Sequence, residues 1–159
     1  MAERTQMATF KALSRGSQIV LVAGPLLFLS LFFTWQYVEV DYGRAGIATI
    51  SLDGWDAWGL LLALLVLATI TIVALRSFTE GELSEDVPWS KIVFGLGAAI
   101  FAVAAVKNLT DAGSSWLSYG FVGLAGAVLV GAYLEWAEER RGERPALAPR
   151  KRRGLRSAA

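Results

Sequence analysis

The sequence of 159 residues contains no cysteine and no histidine. The chain therefore forms no disulfide, and it offers neither a thiolate nor an imidazole to a zinc ion, a haem or an iron–sulfur cluster. The motifs GxGxxG, GxSxG and HExxH and the P-loop are also missing. We expect no catalytic residue, no cofactor and no metal site, and we expect that the protein is not an enzyme.

Charge is scarce and unevenly distributed along the chain. Only 18% of the residues are charged, whereas 55% are hydrophobic. Four stretches contain no Asp, Glu, Lys or Arg at all, namely 17–34, 57–75, 92–106 and 116–134. About 20 apolar residues in a helix cross a hydrocarbon core of about 30 Å. The pattern indicates an integral membrane protein.

The predicted fold is an all-α bundle of four transmembrane helices. The spans are placed at 17–35, 57–75, 90–109 and 116–134. They form a transmembrane domain, 17–137, between a cytoplasmic N-terminal segment, 1–16, and a basic cytoplasmic tail, 138–159. The third charge-free stretch reaches full length only if Lys91 and Lys107 extend toward opposite membrane surfaces.

The segment between the first two spans differs in composition. β-branched and aromatic residues lie on both sides of the sequence Gly43-Arg44-Ala45-Gly46. This pattern is compatible with a small β-hairpin in the first outer loop and also with an irregular loop. Four acidic residues of this region, Glu39, Asp41, Asp53 and Asp56, lack the spacing of a calcium-binding loop, and we interpret them as solvated surface charge.

The distribution of basic residues predicts the orientation. If the N-terminus is cytoplasmic, 13 Lys and Arg residues lie on the cytoplasmic side, and only Arg44 and Lys107 lie on the other. This asymmetry predicts a multi-pass protein of the plasma membrane with both termini in the cytoplasm.

Tryptophan supports the same span limits. The indole ring favours the headgroup level of a membrane, and every tryptophan falls at a predicted membrane boundary. The outer boundaries hold Trp35, Trp55, Trp58 and Trp116, and the inner boundaries hold Trp89 and Trp136. We expect these six residues to anchor the chain at the membrane interfaces.

Small residues recur every four positions on two spans. They are Gly95 and Ala99 on the third span and Gly123, Ala127 and Gly131 on the fourth. Such stripes allow close approach of helices. We expect them to pack within the bundle, and a face between copies of the chain is the alternative.

The C-terminal tail carries the run Arg150, Lys151, Arg152 and Arg153. Basic residues near a membrane surface attract anionic lipid headgroups. No aromatic residues are interleaved with the run, and we expect no nucleic-acid partner. The expected partners are the lipid bilayer and other membrane protein subunits or further copies of the chain.

Two segments together resemble a known kind of protein. They are LLFLSLFFTW, at the end of the first span, and SLDGWDAWGL, at the start of the second. The chain is similar over about residues 17–75 to small uncharacterised four-span membrane proteins of actinobacteria. This resemblance implies a fold and brings no activity with it.

The leading functional expectation is a non-catalytic membrane protein, an accessory subunit or interaction module. Ionisable groups at bilayer depth usually mark transport paths, and the four charge-free stretches hold none. The alternative is a small oligomeric transporter or channel, in which Thr69 and Thr71 line a narrow path. Threonines of this kind more often bond their own helix.

Overall fold

The computed structural model describes Phe10 and residues 13–78, 87–111 and 113–142. In chain order these residues form helix α1 (Arg15–Ser30), strand β1 (Gln36–Asp41), one turn of 3₁₀ helix (Gly43–Ala45), strand β2 (Ile47–Leu52) and helices α2 (Ala57–Phe78), α3 (Trp89–Thr110) and α4 (Trp116–Arg141). The described chain is mostly helical, as the sequence predicts. The predicted tail residues 150–153 lie outside the described residues.

Local sequence explains where two of the helices begin. Ser14 precedes α1, and its side chain accepts a hydrogen bond from the backbone N–H of Ser17 at 3.0 Å. Ser115 caps α4 in the same way through the N–H of Ser118, at 3.2 Å. A serine in this position satisfies a backbone donor that the first helical turn leaves unpaired.

Three of the helices are long and apolar enough to cross a membrane, namely α2, α3 and α4. Their outward faces carry large apolar side chains, of which Leu64 on α2 and Val130 on α4 are each more than half exposed. Extended apolar faces of this kind are unfavourable in water and favourable in lipid. These features indicate a membrane protein.

Helix α1 is shorter than the predicted first span, which was placed at 17–35. It has 16 residues and ends at Ser30, after which three tight turns lead to Trp35. The indole N–H of Trp35 donates to the Ser30 carbonyl at 2.9 Å. The same carbonyl accepts the N–H of Phe33 at 3.1 Å, so the apolar chain beyond Ser30 continues in tight turns and not as α-helix.

The four helices pack in a ring. Each helix contacts the one before and the one after it in the sequence, and α1 also packs against α4. Buried side chains form two apolar clusters at different depths. The larger includes Leu27, Leu62, Ile100 and Val128, and the smaller contains Val20, Val73, Val93 and Ala132. The ring has two ends, which we call the hairpin end, where α1 and α3 finish, and the tail end, where α4 finishes.

Of the two alternatives for residues 36–54, the structure adopts the hairpin. Strands β1 and β2 are antiparallel, with Gln36 opposite Leu52 and Asp41 opposite Ile47. The turn between them needs glycine at Gly46, where φ is 96°. Residues other than glycine are strained at that φ angle.

Candidate functional site

A charged cluster lies at the hairpin end of the ring. The Lys107 side chain, in the last turn of α3, is completely buried. Its Nζ lies 2.6 Å from Asp56 Oδ2 and 3.0 Å from Asp111 Oδ2. The same ammonium group lies 5.3 Å from the centre of the Trp35 ring, within the range of a cation–π interaction.

Three connections bring this cluster together. Trp35 precedes β1, Asp56 precedes α2 and Asp111 follows α3. Asp56 has two roles, because its Oδ1 also accepts the backbone N–H of Gly59 at 2.7 Å and so satisfies a donor in the first turn of α2. Burial alone would raise the pKa of Asp56, but the hydrogen bonds from Lys107 and Gly59 and the lysine charge hold that pKa below its ordinary value.

Hydrogen bonds connect the hairpin to the same end of the ring. The N–H of Tyr37 donates to the Gly113 carbonyl at 2.8 Å, and the N–H of Ser115 donates to the Trp35 carbonyl at 2.9 Å. The Ser115 hydroxyl donates to the carbonyl of Thr34 at 2.7 Å. The start of the hairpin is therefore fixed to the connection between α3 and α4, and its far end extends away from the helices.

The two faces of the hairpin differ in polarity. One face carries Tyr37, Glu39, Asp41, Ile47, Thr49 and Ser51, and the other carries Gln36, Val38, Val40, Ala48, Ile50 and Leu52. We call the second set the apolar face, because five of its six members are aliphatic. Ile50 and Leu52 are 38% and 42% exposed, and Val38 and Val40 are half-buried. The described chain therefore covers this face only in part.

A second charged cluster lies at the tail end. Arg76, in the last turn of α2, donates from Nη1 to Glu135 Oε1 at 2.8 Å. A longer contact of 3.4 Å joins Arg76 Nη2 to Glu139 Oε2. The Arg76 and Glu135 side chains are nearly buried, at 11% and 6% exposure. The cluster ties the end of α2 to α4.

The two clusters do not form a path through the described residues. Between them lie the apolar clusters of the ring, and the buried threonine of this region bonds its own helix. The Thr69 hydroxyl donates to the Leu65 carbonyl at 2.8 Å, one turn earlier in α2. The Lys107 side chain itself is completely buried.

The small residues singled out in the sequence occupy different surroundings. Gly131 is buried against α1, where a Cβ would lie 3.0 Å from the Gly16 carbonyl oxygen and from Ile19. Gly95 and Gly123 are exposed, and no atom lies within 4 Å of a Cβ added to either glycine. Ala99 and Ala127 are half-buried. The structure thus brings Gly131 into a close helix contact and leaves Gly95 and Gly123 outside one.

Sequence reasoning did not single out Gly16 and Gly97, although both lie at helix contacts. A Cβ on Gly16 would fall 2.5 Å from the Glu135 nitrogen, and a Cβ on Gly97 would fall 3.0 Å from the Ala132 Cβ. Gly16 precedes the first charge-free stretch, and Gly97 is two positions from the predicted pair. Only the packing of α1 and α3 against α4 distinguishes them from the other glycines.

Trp35 requires a correction to the predicted set of interface anchors. Its side chain is fully buried, so it cannot contact lipid headgroups. The ring packs on Phe121 at 5.2 Å between centroids and faces Lys107. Among the other five, Trp55, Trp58 and Trp116 are exposed, and Trp89 and Trp136 are half-buried.

The position of Lys107 in the structure differs from the position that the sequence predicted. It was expected to extend to the membrane surface, and instead it points into the protein. A signal existed, because Asp56 and Asp111 both fall at the predicted outer ends of spans, as Lys107 does. Their pairing depends on which spans are neighbours.

No protein-family model matches this chain, and neither a curated protein nor a solved structure shows significant similarity to it.

Proposed function

We propose that this protein is a non-catalytic integral membrane protein that acts as an accessory subunit or interaction module and binds a partner through its hairpin. The observation that carries the proposal is the apolar face, which projects from the hairpin end and is covered only in part. A two-stranded sheet is marginally stable in isolation and gains stability when another surface packs on it.

The proposal includes four membrane crossings, with α1 as the first. The 16 residues of α1 extend about 24 Å. The apolar turns from Leu31 to Trp35 add to that length, and Leu31 is fully buried with Trp35. Helix α1 packs against both α2 and α4, which supports the proposal that it crosses the membrane as the other three helices do.

The proposed orientation puts the hairpin end outside the cell and the tail end in the cytoplasm. The main support is the distribution of basic residues, with 13 on the proposed cytoplasmic side and two on the proposed outer side. Of those two, Lys107 is neutralised by the carboxylates of Asp56 and Asp111. Only Arg44 then contributes an exposed positive charge to the proposed outer side.

The partner that suits this surface is another membrane protein with an exposed apolar patch near the outer membrane surface. Ile50 and Leu52, the two large exposed residues of the apolar face, both lie on β2. A fixed hairpin base and an exposed aliphatic surface favour recognition of a protein over a small solute, because sites for small molecules are usually concave.

The test places a photoreactive phenylalanine analogue at one of two adjacent positions of β2. Ile50 lies on the apolar face, and Thr49 is the matched control because it lies on the opposite face. We expect irradiation of cells to give one discrete protein adduct from position 50 and none from position 49. The Ile50→Asp variant should also lose copurification of the protein identified in that adduct.

Two results would contradict the proposal. Adducts with lipid alone from position 50 would show that the apolar face rests on the membrane. Saturable uptake of a solute by liposomes that contain the pure protein would favour the alternative, a small oligomeric transporter or channel. An adduct of twice the mass of the chain would identify a second copy as the partner.

A further inference from the structure

An apolar groove lies beside the contact between α1 and α4. It has a volume of about 380 Å³ and is open to the surroundings of the protein. Its lining includes Phe10 and three residues of α1, Ile19, Val22 and Leu26, with Leu124 on α4. Val22 and Leu26 are each about half exposed. Because the lining is almost wholly apolar, the groove suits a hydrocarbon chain.

A second cavity, of about 420 Å³, lies at the tail end between the same two helices. Its lining is polar in part and includes Ser14, Arg15, Tyr133, Glu138 and Arg141. Arg15 begins α1 and Arg141 ends α4, and both are exposed. The guanidinium groups of Arg15 and Arg141 lie in this lining together with the carboxylate of Glu138, and guanidinium N–H donors suit the oxygens of a phosphate.

The two cavities follow one face of α1. Arg15, Ile19, Val22 and Leu26 are spaced by three or four residues, so they lie above one another on the same side of the helix. From Arg15 to Leu26 the helix rises about 16 Å, close to half of a hydrocarbon core of about 30 Å. The groove therefore has the length of one leaflet, with the basic cavity at its surface end.

We propose that this face is a binding site for one anionic phospholipid. The phosphate lies between Arg15 and Arg141, and one acyl chain lies in the groove along Ile19, Val22 and Leu26. Arginine recognises phosphate oxygens with paired N–H donors, which suits the headgroup. The proposal requires residence in a membrane and does not depend on a partner at the hairpin.

Native mass spectrometry of the detergent-solubilised protein tests the headgroup. The probes are phosphatidylglycerol and phosphatidylcholine with identical acyl chains, and glycerol phosphate without acyl chains. We expect one phosphatidylglycerol to bind in preference to phosphatidylcholine, with no detectable binding of glycerol phosphate. The double variant Arg15→Gln/Arg141→Gln should lose phosphatidylglycerol binding by roughly tenfold or more. Lys91→Gln, at an exposed basic residue at the start of α3, should change nothing.

A separate variant tests the groove. Val22→Trp fills it at an exposed position, and Leu64→Trp is the control on an exposed face of α2. Only Val22→Trp should reduce the bound phosphatidylglycerol, while both variants keep the unfolding temperature of the parent. Equal binding of the two lipids, an equal loss in Lys91→Gln, or tight binding of glycerol phosphate would each overturn the proposal.

Discussion

Lys107 contributes to stability through two carboxylates and one aromatic ring, all at the hairpin end. Removing one partner of a buried ion pair costs more than the pair contributes, because a buried charge is left uncompensated. The carboxylate of Asp111, with 8% of its side chain exposed, would be that charge. The lysine is therefore a structural residue whose loss affects three connections at once.

We expect Lys107→Met to lower the free energy of unfolding in detergent by about 3–5 kcal/mol. Adding Asp111→Asn to that variant should recover part of the loss, because the amide removes the orphaned charge. Lys91→Met, at an exposed site, should stay within about 0.5 kcal/mol of the parent. Thermal unfolding, monitored by circular dichroism, measures the stability of all three variants. Equal stability of the Lys107 and Lys91 variants would refute a structural role for the cluster.

Asp56 makes the stability of the folded protein depend on pH, and the direction of its pKa shift fixes the sign of that dependence. Its pKa in the folded protein lies below the ordinary value of 3.8. The contribution of the carboxylate to stability is therefore complete above the unfolded-state pKa, and it is lost as the pH falls through the lower folded-state pKa. Asp56→Asn keeps an acceptor for the Gly59 N–H and removes the charge.

We expect the parent to be more stable than Asp56→Asn at about pH 7, and we expect the difference to shrink as the pH falls through the folded-state pKa of Asp56, which lies below its ordinary value. Unfolding temperatures across that range give the comparison, with Asp41→Asn as a control for an exposed carboxylate. A difference that stays constant down to the lowest pH would mean that the charge of Asp56 has no part in stability.

The sequence could not predict the place of Lys107, although it did predict the helix that holds it. A lysine at the end of a span can extend to the surface along its own stem, or it can pair inward with carboxylates. The choice is made by Asp56, 51 positions earlier, through the packing of α2 on α3. Single-sequence patterns describe neighbours along one helix, and this contact lies between two.

At the scale of the helix, the contact between α1 and α4 depends on two glycines that face each other. A Cβ on Gly16 would meet backbone atoms of α4 at 2.5 Å, and a Cβ on Gly131 would lie 3.0 Å from the Gly16 carbonyl oxygen and from the Ile19 side chain. Gly123, also in the predicted stripe, faces open space. The two helices thus come closest near the tail end.

We expect Gly131→Leu and Gly16→Leu to lower the stability of the solubilised protein by about 1–3 kcal/mol each through overpacking. Gly123→Leu is the matched control on the same helix and should have little effect. Unfolding temperature and size-exclusion profile are the two measurements. A change of oligomeric size in Gly123→Leu would show that its open face contacts another copy of the chain.

The small residues at spacings of four predicted only part of the helix contact, and helix geometry explains why. Residues four apart are rotated by about 40° relative to one another, since a turn has 3.6 residues, so Gly123 and Gly131 differ by about 80°. A spacing of four therefore does not keep small residues on one face over two turns. The hairpin was predicted as one of two alternatives, because β-branched residues indicated strands and no pattern fixed their pairing.

At the scale of the whole molecule, hydropathy alone predicted the four apolar segments and the order of the helices. It did not predict the end of α1 at Ser30, where the indole of Trp35 folds back onto the last carbonyl of the helix. Nor could it show that charged clusters close both ends of the ring. These features arise from contacts between distant segments, which apolar content does not encode.

We propose a bundle with four membrane crossings that places the hairpin on the outer side. Three variants, each with one cysteine in a chain that has none, test it with a membrane-impermeant thiol reagent on intact cells. We expect labelling of Ser51→Cys in β2, and we expect labelling of Thr5→Cys and Ser157→Cys only after the membrane is made permeable. Labelling of Thr5→Cys together with Ser51→Cys in intact cells would show that α1 does not cross, and labelling of Ser157→Cys without Ser51→Cys would show that the orientation is inverted.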